Sequence, residues 1–359
     1  MHFVAYSGIM GIRVGIIGAS GFTGAELLRL IAQHPDLDLV VATGDSQAGT
    51  AVADLYPSLA LAYPDLSFVP ASSSLADDHE LDVVFCGLPH GTSQQIVPSL
   101  LQQGRLVVDL GADFRLKDPT LYPTWYHAEH TVPGLLAEAV YGLPELFRSE
   151  LAALGGTGLI ATPGCYVTTA TMALAPFLSA GLIEPGGIVV DAASGASGAG
   201  RPPKPSTTFC AVDEDFSAYG LLDHRHTPEI EQNLTHAAGT EVQVLFTPHL
   251  APMNRGILAT CYARPTAAVT TEQLRETLHA AYDSEPFVVV RSEAPSTKAT
   301  LGSNAVHVSA FADERTGWVV ALASLDNLTK GASGGAIQAA NVALGLEETA
   351  GLPLVALYP

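Results

Sequence analysis

The sequence predicts a two-part α/β fold, in which a mostly parallel sheet flanked by helices is followed by an α+β part with a mixed sheet. A chain of 359 residues is long enough for about two domains. A glycine-rich turn joins the first apolar strand pattern to a helix pattern, and apolar runs alternate with helical patterns further along. With 48% hydrophobic and 14% charged residues, the chain can bury sizeable cores.

The composition excludes several classes of protein. A net charge of −20 argues against binding to nucleic acids or anionic membranes, because both need clustered Lys and Arg. No apolar run reaches the ~18 residues of a membrane span, and the N-terminus lacks the features of a signal peptide. The four cysteines form no CxxC pair, which predicts a cytoplasmic protein without disulfides. Met10 directly precedes the first strand pattern, so residues 1–9 are expected to be an extension.

The first strand pattern, Ile12–Ile17, runs into a glycine turn and then a helix pattern. The turn contains Gly18, Ala19, Ser20, Gly21, Phe22, Thr23 and Gly24. Glycines let the backbone approach a pyrophosphate, and the helix N-terminus offers N–H donors. These residues are therefore candidate cofactor ligands of a Rossmann-type, dinucleotide-binding domain. Their spacing is GxxGxxG, and a tight turn without a ligand is the alternative.

The second strand pattern, Leu37–Thr43, ends at residues that bear on the choice of nucleotide. Asp45 would bond the ribose 2′-hydroxyl of NAD, whereas the hydroxyls of Thr43 and Ser46 suit the 2′-phosphate of NADP. These residues leave both cofactors open.

Two further strand patterns, Leu81–Cys86 and Leu106–Leu110, end in glycine and polar residues, where open α/β sheets bind ligands. After the first, Pro89 is a candidate cofactor contact, and His90 is expected to face a nicotinamide or to cap the next helix. After the second, Arg115 is a candidate clamp for an anionic substrate. A surface ion pair between Arg115 and an aspartate within three positions is the alternative.

A Pro-Gly pair ends the strand pattern Gly158–Ala161, and the small and apolar residues after Cys165 predict a helix. Cys165 is therefore expected at a helix N-terminus, where free N–H groups and the helix dipole favour a thiolate. Such a thiolate is a candidate catalytic nucleophile. The alternative is a buried structural thiol.

A strand pattern at Ile188–Ala193 leads into the loop SGASGAGRPPKP, whose small residues allow the backbone to lie close to a ligand. Ser197 and Arg201 are candidate substrate ligands in this loop, and Gly198 is a candidate cofactor ligand. A flexible, solvated loop is the alternative.

The segment Asp223–Ile230 reads DHRHTPEI. Thr227 as N-cap, followed by a proline and a glutamate, predicts the start of a helix. His224 and His226 precede it. Two histidines separated by one residue can bind a metal, but no third ligand accompanies them at a suitable spacing, so no metal is expected.

The C-terminal half of the chain contains further regular patterns. Strands are expected at Val242–Thr247, Ile257–Ala263, Gly302–Asp313 and Trp318–Leu325, and a helix at Thr271–Tyr282. A helix of small residues after Lys330 is expected to pack against the first domain.

Together these candidates indicate one type of reaction. A thiolate attacks an activated acyl group, and hydride from a nicotinamide then reduces the thioester to an aldehyde. The motifs GASGFTG, LPHG, GADFRL, YGLPEL, PGCYVT, SGASGAGR, HRHTPEI, RGILAT, GSN and DNLTKGASG strongly resemble those of the N-acetyl-γ-glutamyl-phosphate reductases of arginine biosynthesis. The resemblance runs from about residue 12 to the C-terminus, and its specific parts are PGCYVT and HRHTPE.

The resemblance implies roles for particular residues. Cys165 becomes the nucleophile, and His224 its acid/base partner, which keeps the thiol ionised and then protonates or hydrogen-bonds the oxyanion. NADPH becomes the reductant, with the glycine turn on its pyrophosphate and Asn327 near the nicotinamide. The expected ligands of the small-molecule substrate are Arg115, Ser197, Arg201 and His226.

The resemblance also implies an NADP-binding domain at residues 12–162, joined by a C-terminal helix at 331–359, and a catalytic and oligomerisation domain at 163–330. The protein is then a cytoplasmic homodimer or homotetramer. One alternative is aspartate-semialdehyde dehydrogenase, against which the PGCYVT and HRHTPE motifs argue. A second is a lysine-pathway reductase, whose acidic carrier protein a chain of charge −20 would repel. A third is a catalytically silent, dinucleotide-binding regulator, which an intact Cys165 and His224 disfavour.

Overall fold

The computed structural model describes residues 11–72 and 75–358, so the extension expected at residues 1–9 lies outside the described residues. The strands are β1 (Ile12–Ile17), β2 (Leu37–Ala42), β3 (Val83–Cys86), β4 (Leu106–Asp109), β5 (Val140–Tyr141), β6 (Gly158–Ala161), β7 (Ile188–Gly195), β8 (Ser217–Ala218), β9 (Val244–Ala251), β10 (Ile257–Ala263), β11 (Val288–Val290), β12 (Val306–Asp313) and β13 (Trp318–Leu325). The α-helices are α1 (Phe22–Ile31), α2 (Val52–Leu55), α3 (Leu75–Asp78), α4 (Ser93–Gln102), α5 (Tyr122–Tyr126), α6 (Gly134–Glu138), α7 (Pro144–Ala153), α8 (Cys165–Ser179), α9 (Phe209–Val212), α10 (Thr227–Ala238), α11 (Thr271–Tyr282) and α12 (Gly334–Leu344).

The first sheet has the strand order β2-β1-β3-β4-β6-β5, and its neighbouring strands pair in parallel. The glycine turn joins β1 to α1 at the carboxyl edge of this sheet. Gly18 has a φ of +88°, and a Cβ there would lie 2.4 Å from the carbonyl oxygen of Gly87. Glycine is therefore required at position 18, where the chain leaves the sheet.

The second sheet has the order β11-β12-β13-β10-β7-β9-β8 and is mixed. Its central pairs are antiparallel, whereas β7 pairs with β9 and β11 with β12 in parallel. Helices α8, α10 and α11 pack on one face of this sheet around a shared apolar core. The predicted two-part α/β fold with a mixed second sheet is confirmed.

Helix α12 returns from the second sheet to the core of the first. Ala336, Ile337 and Ala340 of α12 lie in the same buried apolar cluster as Val14 and Ile160 of the first sheet. Small side chains on α12 allow this close contact, as the composition of the helix predicts.

The predicted extent of this last helix is wrong. Helix α12 ends at Leu344, and Gly345 follows with a φ of +69°, the left-handed conformation that commonly terminates helices. The chain beyond Gly345 is not helical, although Leu352 is buried against the first sheet. The helix covers only part of the range 331–359.

Most other elements lie close to their predicted positions. The patterns for β1, β6, β10, β13 and α11 match the observed bounds. Strand β9 runs Val244–Ala251, later than predicted, and β12 starts at Val306 rather than Gly302. The N-cap of α10 is His226, so Thr227 is the first helical residue and not the cap. Across the described residues, no helix is long and apolar enough to cross a bilayer.

Candidate active site

Cys165 is the first residue of α8, and Gly164 is the N-cap. Strand β6 ends four residues earlier, and the Pro-Gly pair turns the chain from strand to helix, so the predicted helix start at Cys165 is confirmed. Cys165 lines a cavity of about 690 Å³ together with His224 and His226. The fold therefore brings these sequence-distant residues to one site.

Burial raises the pKa of Cys165 to about 11, and the backbone N–H of Tyr166 and the charge of Arg115 offset only part of this effect. Desolvation by the cavity wall therefore opposes the thiolate more strongly than the helix N-terminus favours it. The thiolate at Cys165 stays a prediction.

Burial lowers the pKa of His224 to about 4, and the nearby charge of Arg225 lowers it further. Burial therefore favours the neutral imidazole. The acid/base role of His224 toward Cys165 stays a prediction.

Arg115 is buried, 8% exposed, and lies near Cys165. Its Nη1 lies 3.5 Å from Oε2 of Glu229, and its Nη2 donates to the carbonyl of Leu110 across 2.9 Å. The alternative of a surface pair with a neighbouring aspartate is therefore wrong.

Glu229 is a site residue that the sequence analysis missed. It is fully buried, and its Oε1 accepts hydrogen bonds from the hydroxyl of Tyr141 at 2.6 Å and the N–H of Gly164 at 2.9 Å. Glu229 thus fixes the backbone directly before Cys165. Glu229 belongs to the HRHTPE motif, but the sequence alone indicates only an acidic residue in the first turn of a helix.

His226 fills the space that a side chain at position 164 would take. A Cβ on Gly164 would lie 2.4 Å from Nε2 of His226. The Nδ1 of His226 is buried without a hydrogen-bond partner among the described residues, and so are the hydroxyl of Tyr126 and the Nε of Arg115. We refer to Arg115, Tyr126, His226 and Glu229 as the buried cluster.

A second group of polar residues near Cys165 lies in the segment Asp326–Ser333, here named the bridge segment. A Cβ on Gly331 would lie 2.9 Å from the Cβ of Cys165, so glycine permits the segment to lie against Cys165. Ser333 donates to the carbonyl of Thr23 in the glycine turn across 2.8 Å. The bridge segment therefore connects the glycine turn with Cys165.

Ion pairs anchor the bridge segment at its first residue and near its middle. Arg255 donates to Asp326 at 2.9 Å and to Glu26 of α1 at 2.8 Å. Lys330 is almost fully buried and pairs with Glu145 of α7 across 2.5 Å. The bridge segment is thereby fastened to α1 and α7 of the first domain.

Asn327 and Ser197 are brought together by a direct hydrogen bond, in which Asn327 Nδ2 donates to Ser197 Oγ across 2.9 Å. The Oδ1 of Asn327 accepts from the N–H of Gly256 at 2.7 Å. Gly198 lies beside them, since a Cβ there would be 3.8 Å from Asn327 Nδ2. These three predicted residues are therefore neighbours in the fold.

The glycine turn fits a pyrophosphate. Helix α1 has no side-chain cap at its N-terminus, which leaves N–H donors for an anion. The hydroxyl of Thr43 accepts from the N–H of Gly18 at 3.1 Å and is buried, so Thr43 braces the turn. Ser46 and Asp45 are exposed at the end of β2.

The loop after β3 contains Pro89 and His90. His90 pairs with Asp113 and stacks on Tyr126, with ring centroids 4.5 Å apart. His90 does not cap α4, whose N-cap is Thr92. The loop therefore connects the carboxyl end of β3 with the buried cluster.

Arg201 and Arg115 are not brought together. Arg201 acts on the pKa of Tyr56, whose hydroxyl donates to the carbonyl of Ser20 in the glycine turn. The basic residues that line the Cys165 cavity are Lys204 and Arg225, which the sequence analysis did not single out. Among the described residues, no three His, Cys, Asp or Glu side chains converge as metal ligands.

Two sequence profiles match consecutive parts of the chain. "Semialdehyde dehydrogenase, NAD binding domain" matches residues 13–154, and "Semialdehyde dehydrogenase, dimerisation domain" matches residues 165–327.

Two relatives that match this chain over nearly their full length carry the same name. The N-acetyl-gamma-glutamyl-phosphate reductase of Rhodospirillum rubrum is 50% identical over 97% of this chain and 99% of the relative. The protein of the same name from Acidothermus cellulolyticus is 50% identical over 98% of this chain and 100% of the relative.

Solved structures share the fold at low identity. Aspartate semialdehyde dehydrogenase II of Vibrio cholerae, complexed with ASA, superposes with a TM-score of 0.68 at 16% identity, over 93% of this chain and 98% of that one. The Candida albicans aspartate semialdehyde dehydrogenase with NADP has a TM-score of 0.68 at 16% identity, over 92% and 98% of the two chains.

Proposed function

The chain belongs to the N-acetyl-γ-glutamyl-phosphate reductase family, and we propose that it reduces N-acetyl-γ-glutamyl phosphate with NADPH to N-acetyl-glutamate 5-semialdehyde and phosphate. The observation that carries this proposal is the position of Cys165, at the start of a buried helix and in one cavity with His224. A thiol placed there can attack an acyl phosphate that enters the cavity.

In the first half of the reaction, the sulfur of Cys165 bonds to the acyl carbon and phosphate leaves, which produces a thioester on the enzyme. Arg115 and His226 are proposed to receive the phosphoryl group, because both have buried donors or acceptors without protein partners. Lys204 and Arg225 line the cavity and are proposed for the substrate carboxylate.

In the second half, NADPH, when bound, would supply hydride to the thioester carbon, and the aldehyde would be released as the carbon–sulfur bond to Cys165 breaks. The glycine turn Gly18–Gly24 is proposed to bind the pyrophosphate, and Asn327 with Ser197 and Gly198 the nicotinamide end. Arg201 is proposed on the cofactor side rather than the substrate side, since its charge acts on Tyr56 beside the turn.

The division of the chain is proposed to follow its two sheets, with residues 12–162 and the returning C-terminal segment binding NADPH. Residues 163–330 are proposed to carry catalysis and to assemble a homodimer or homotetramer, in keeping with the dimerisation profile over residues 165–327. We place the enzyme in the cytoplasm and in arginine biosynthesis.

The test is the reverse reaction, in which purified protein, phosphate and NADP are offered N-acetyl-glutamate semialdehyde or aspartate semialdehyde and NADPH absorbance is followed. Preference for the acetylated five-carbon aldehyde is expected, and preference for the aspartyl compound would contradict the assignment. Cys165→Ala is expected to abolish turnover while the Kd for NADPH, from its fluorescence, stays within about twofold of the parent. Loss of NADPH binding in that variant would contradict the role of Cys165.

A further inference from the structure

Gln232 of α10 is hydrogen-bonded to the main chain on both sides of Leu116, in the loop that contains Arg115. Its Nε2 donates to the carbonyl of Arg115 across 2.9 Å, and its Oε1 accepts from the N–H of Lys117 at 2.8 Å. A carbonyl only accepts and a backbone N–H only donates, so these two partners fix the orientation of the amide. Both ends of the Gln232 amide are therefore used to hold residues 115–117.

The loop that Gln232 holds belongs to the first sheet, whereas α10 packs on the second. Arg115 follows β4, and α10 shares an apolar core with strands of the second sheet. Gln232 lies three residues after Glu229, so the two side chains are neighbours on one face of the helix. Glu229 accepts from the N–H of Gly164, directly before Cys165. One face of α10 thus contacts the main chain both at Arg115 and at the start of α8.

The guanidinium of Arg115 is held in place with one of its donors unused. Its Nη2 donates to the carbonyl of Leu110, and its Nη1 lies 3.5 Å from Oε2 of Glu229. Its Nε is buried without a hydrogen-bond partner among the described residues. A guanidinium of this kind suits an anion with several oxygens, and a preformed orientation lowers the cost of binding that anion.

We propose that Gln232 is a positioning residue, which holds the main chain of Arg115 so that the guanidinium points at the phosphoryl group of the substrate beside Cys165. The inference rests on the proposed function, in which Arg115 receives that group. Gln232 is half-buried and is not among the residues that line the Cys165 cavity, so it acts through Arg115. The phosphoryl site is then assembled from both layers, with the cation from the first sheet and its support from α10.

Two substitutions separate the two hydrogen bonds of the amide. Gln232→Met removes both, whereas Gln232→Glu keeps an acceptor for Lys117 and loses the donor to Arg115. A misplacement of about 1 Å can cost about 10²-fold, so both variants are expected to raise the KM for phosphate in the reverse reaction by about tenfold. Gln243→Met, at an exposed glutamine, is the matched control and should behave as the parent.

The same variants distinguish positioning from a general loss of structure. The KM for NADP and the midpoint of urea denaturation are expected to stay close to those of the parent, because both hydrogen bonds lie at a partly exposed edge of the loop. A KM for NADP that rises as much as the KM for phosphate would overturn the proposal. So would a parental KM for phosphate in Gln232→Glu.

Phosphate binding can be measured without turnover. Inorganic phosphate beside Cys165 is expected to slow the alkylation of this cysteine by iodoacetamide, followed by mass spectrometry of the peptide that contains it. The phosphate concentration that halves the rate is expected to rise about tenfold in Gln232→Met. Absence of protection in the parent, or equal protection in the parent and the variant, would show that Gln232 does not position a phosphate ligand.

Arg115→Lys tests whether Gln232 acts through the guanidinium. Lysine keeps a cation beside Glu229 but lacks the planar, two-pronged donor. Addition of Gln232→Met to Arg115→Lys is then expected to raise the half-protecting phosphate concentration by less than about threefold, because the two changes affect one interaction. A full further tenfold rise would mean that Gln232 acts independently of Arg115, against the proposal.

The two proposals fail in different ways. If the parent protein oxidises neither of the offered semialdehydes, the proposed function fails, while the protection of Cys165 by phosphate still tests Gln232. If the parent is active and phosphate protects the parent and Gln232→Met at the same concentration, the function stands and the positioning role of Gln232 is wrong.

Discussion

The bridge segment and the buried cluster both lie near Cys165 and differ in how many of their buried polar groups have hydrogen-bond partners. In the bridge segment, the buried side chains of Asp326, Asn327, Thr329, Lys330 and Ser333 are all hydrogen-bonded within the protein. In the buried cluster, single polar atoms of each of the four residues have no hydrogen-bond partner among the described residues.

The difference distinguishes buried polar groups that stabilise the fold from buried polar groups that bind a ligand. A fully paired buried network stabilises one arrangement of the chain, whereas unpaired buried groups cost stability and persist where a ligand uses them. The bridge segment is therefore expected to govern stability, and the buried cluster substrate binding. The predictions below test this contrast, from the largest effect to the smallest.

Lys330→Met is expected to cost about 3–5 kcal/mol of unfolding free energy, because Glu145 stays buried without its cation. Urea denaturation followed by circular dichroism measures this loss. Lys298→Met, at an exposed lysine, is the control and is expected to change stability by less than about 0.5 kcal/mol. Equal losses in the two variants would remove the structural role assigned to the bridge segment.

Glu26 is expected to make the protein sensitive to acid. Although burial opposes its ionisation, Arg29 and Arg255 lower the pKa of Glu26 from 4.5 to about 2. The unfolded chain therefore binds a proton at higher pH than the folded one, and stability falls by roughly 3 kcal/mol as the pH drops from 4.5 towards 2.

Glu26→Gln should flatten the acid limb of a plot of unfolding free energy against pH. Glu272→Gln on α11, where the carboxylate is exposed, should leave that limb unchanged. An unaltered slope in Glu26→Gln would show that the ion pairs around Arg255 contribute no acid sensitivity.

Two buried tyrosines allow a paired and an unpaired hydroxyl to be compared. Tyr126 belongs to the buried cluster, and Tyr141 is hydrogen-bonded to a member of it. Tyr141→Phe removes a 2.6 Å hydrogen bond to the Glu229 carboxylate and is expected to cost about 1.5–3 kcal/mol. Tyr126→Phe removes a hydroxyl without a partner and is expected to stay within about 0.5 kcal/mol of the parent, while raising the KM for substrate. If urea denaturation shows the same loss of unfolding free energy in both variants, the contrast between hydrogen-bonded and unpartnered buried groups is wrong.

The smallest effect is expected from Ser197→Ala. This change removes the acceptor of the Asn327 side chain at a half-buried position and is expected to cost about 0.5–1.5 kcal/mol. Because Asn327 is proposed at the nicotinamide end, the KM for NADPH should rise and the KM for substrate stay unchanged. Ser149→Ala on the exposed face of α7 is the control, and a rise only in the KM for substrate would move Asn327 away from the cofactor.

The sequence predicted most of the fold because strand and helix patterns are local. The glycine turn, the start of α8 at Cys165 and the bounds of α11 all follow from residues within a few positions. The family predicted from the motifs is confirmed by relatives that are 50% identical over nearly the full chain. The predicted length of the last helix is wrong, because the pattern of small residues does not show that Gly345 adopts the left-handed conformation that ends the helix.

The environment of the site was not predictable in the same way. The partner of Arg115 is Glu229, which is far away in sequence, so only the fold shows that this arginine is buried. The pKa of Cys165 depends on desolvation by the whole cavity wall, which exceeds the local effect of the helix N-terminus. Local patterns thus indicated candidate reacting groups, whereas long-range packing sets the pKa shifts of these groups.

The return of α12 to the first sheet has a consequence for synthesis on the ribosome. Strands β1 to β6 emerge first, but the core around Val14 and Ile160 lacks Ile337 until all strands of the second sheet have been made. Domains generally fold in the order in which they are translated. Here the first domain exposes an apolar face until α12 has been made, so a nascent chain stalled before α12 is expected to be protease-sensitive and to recruit chaperones.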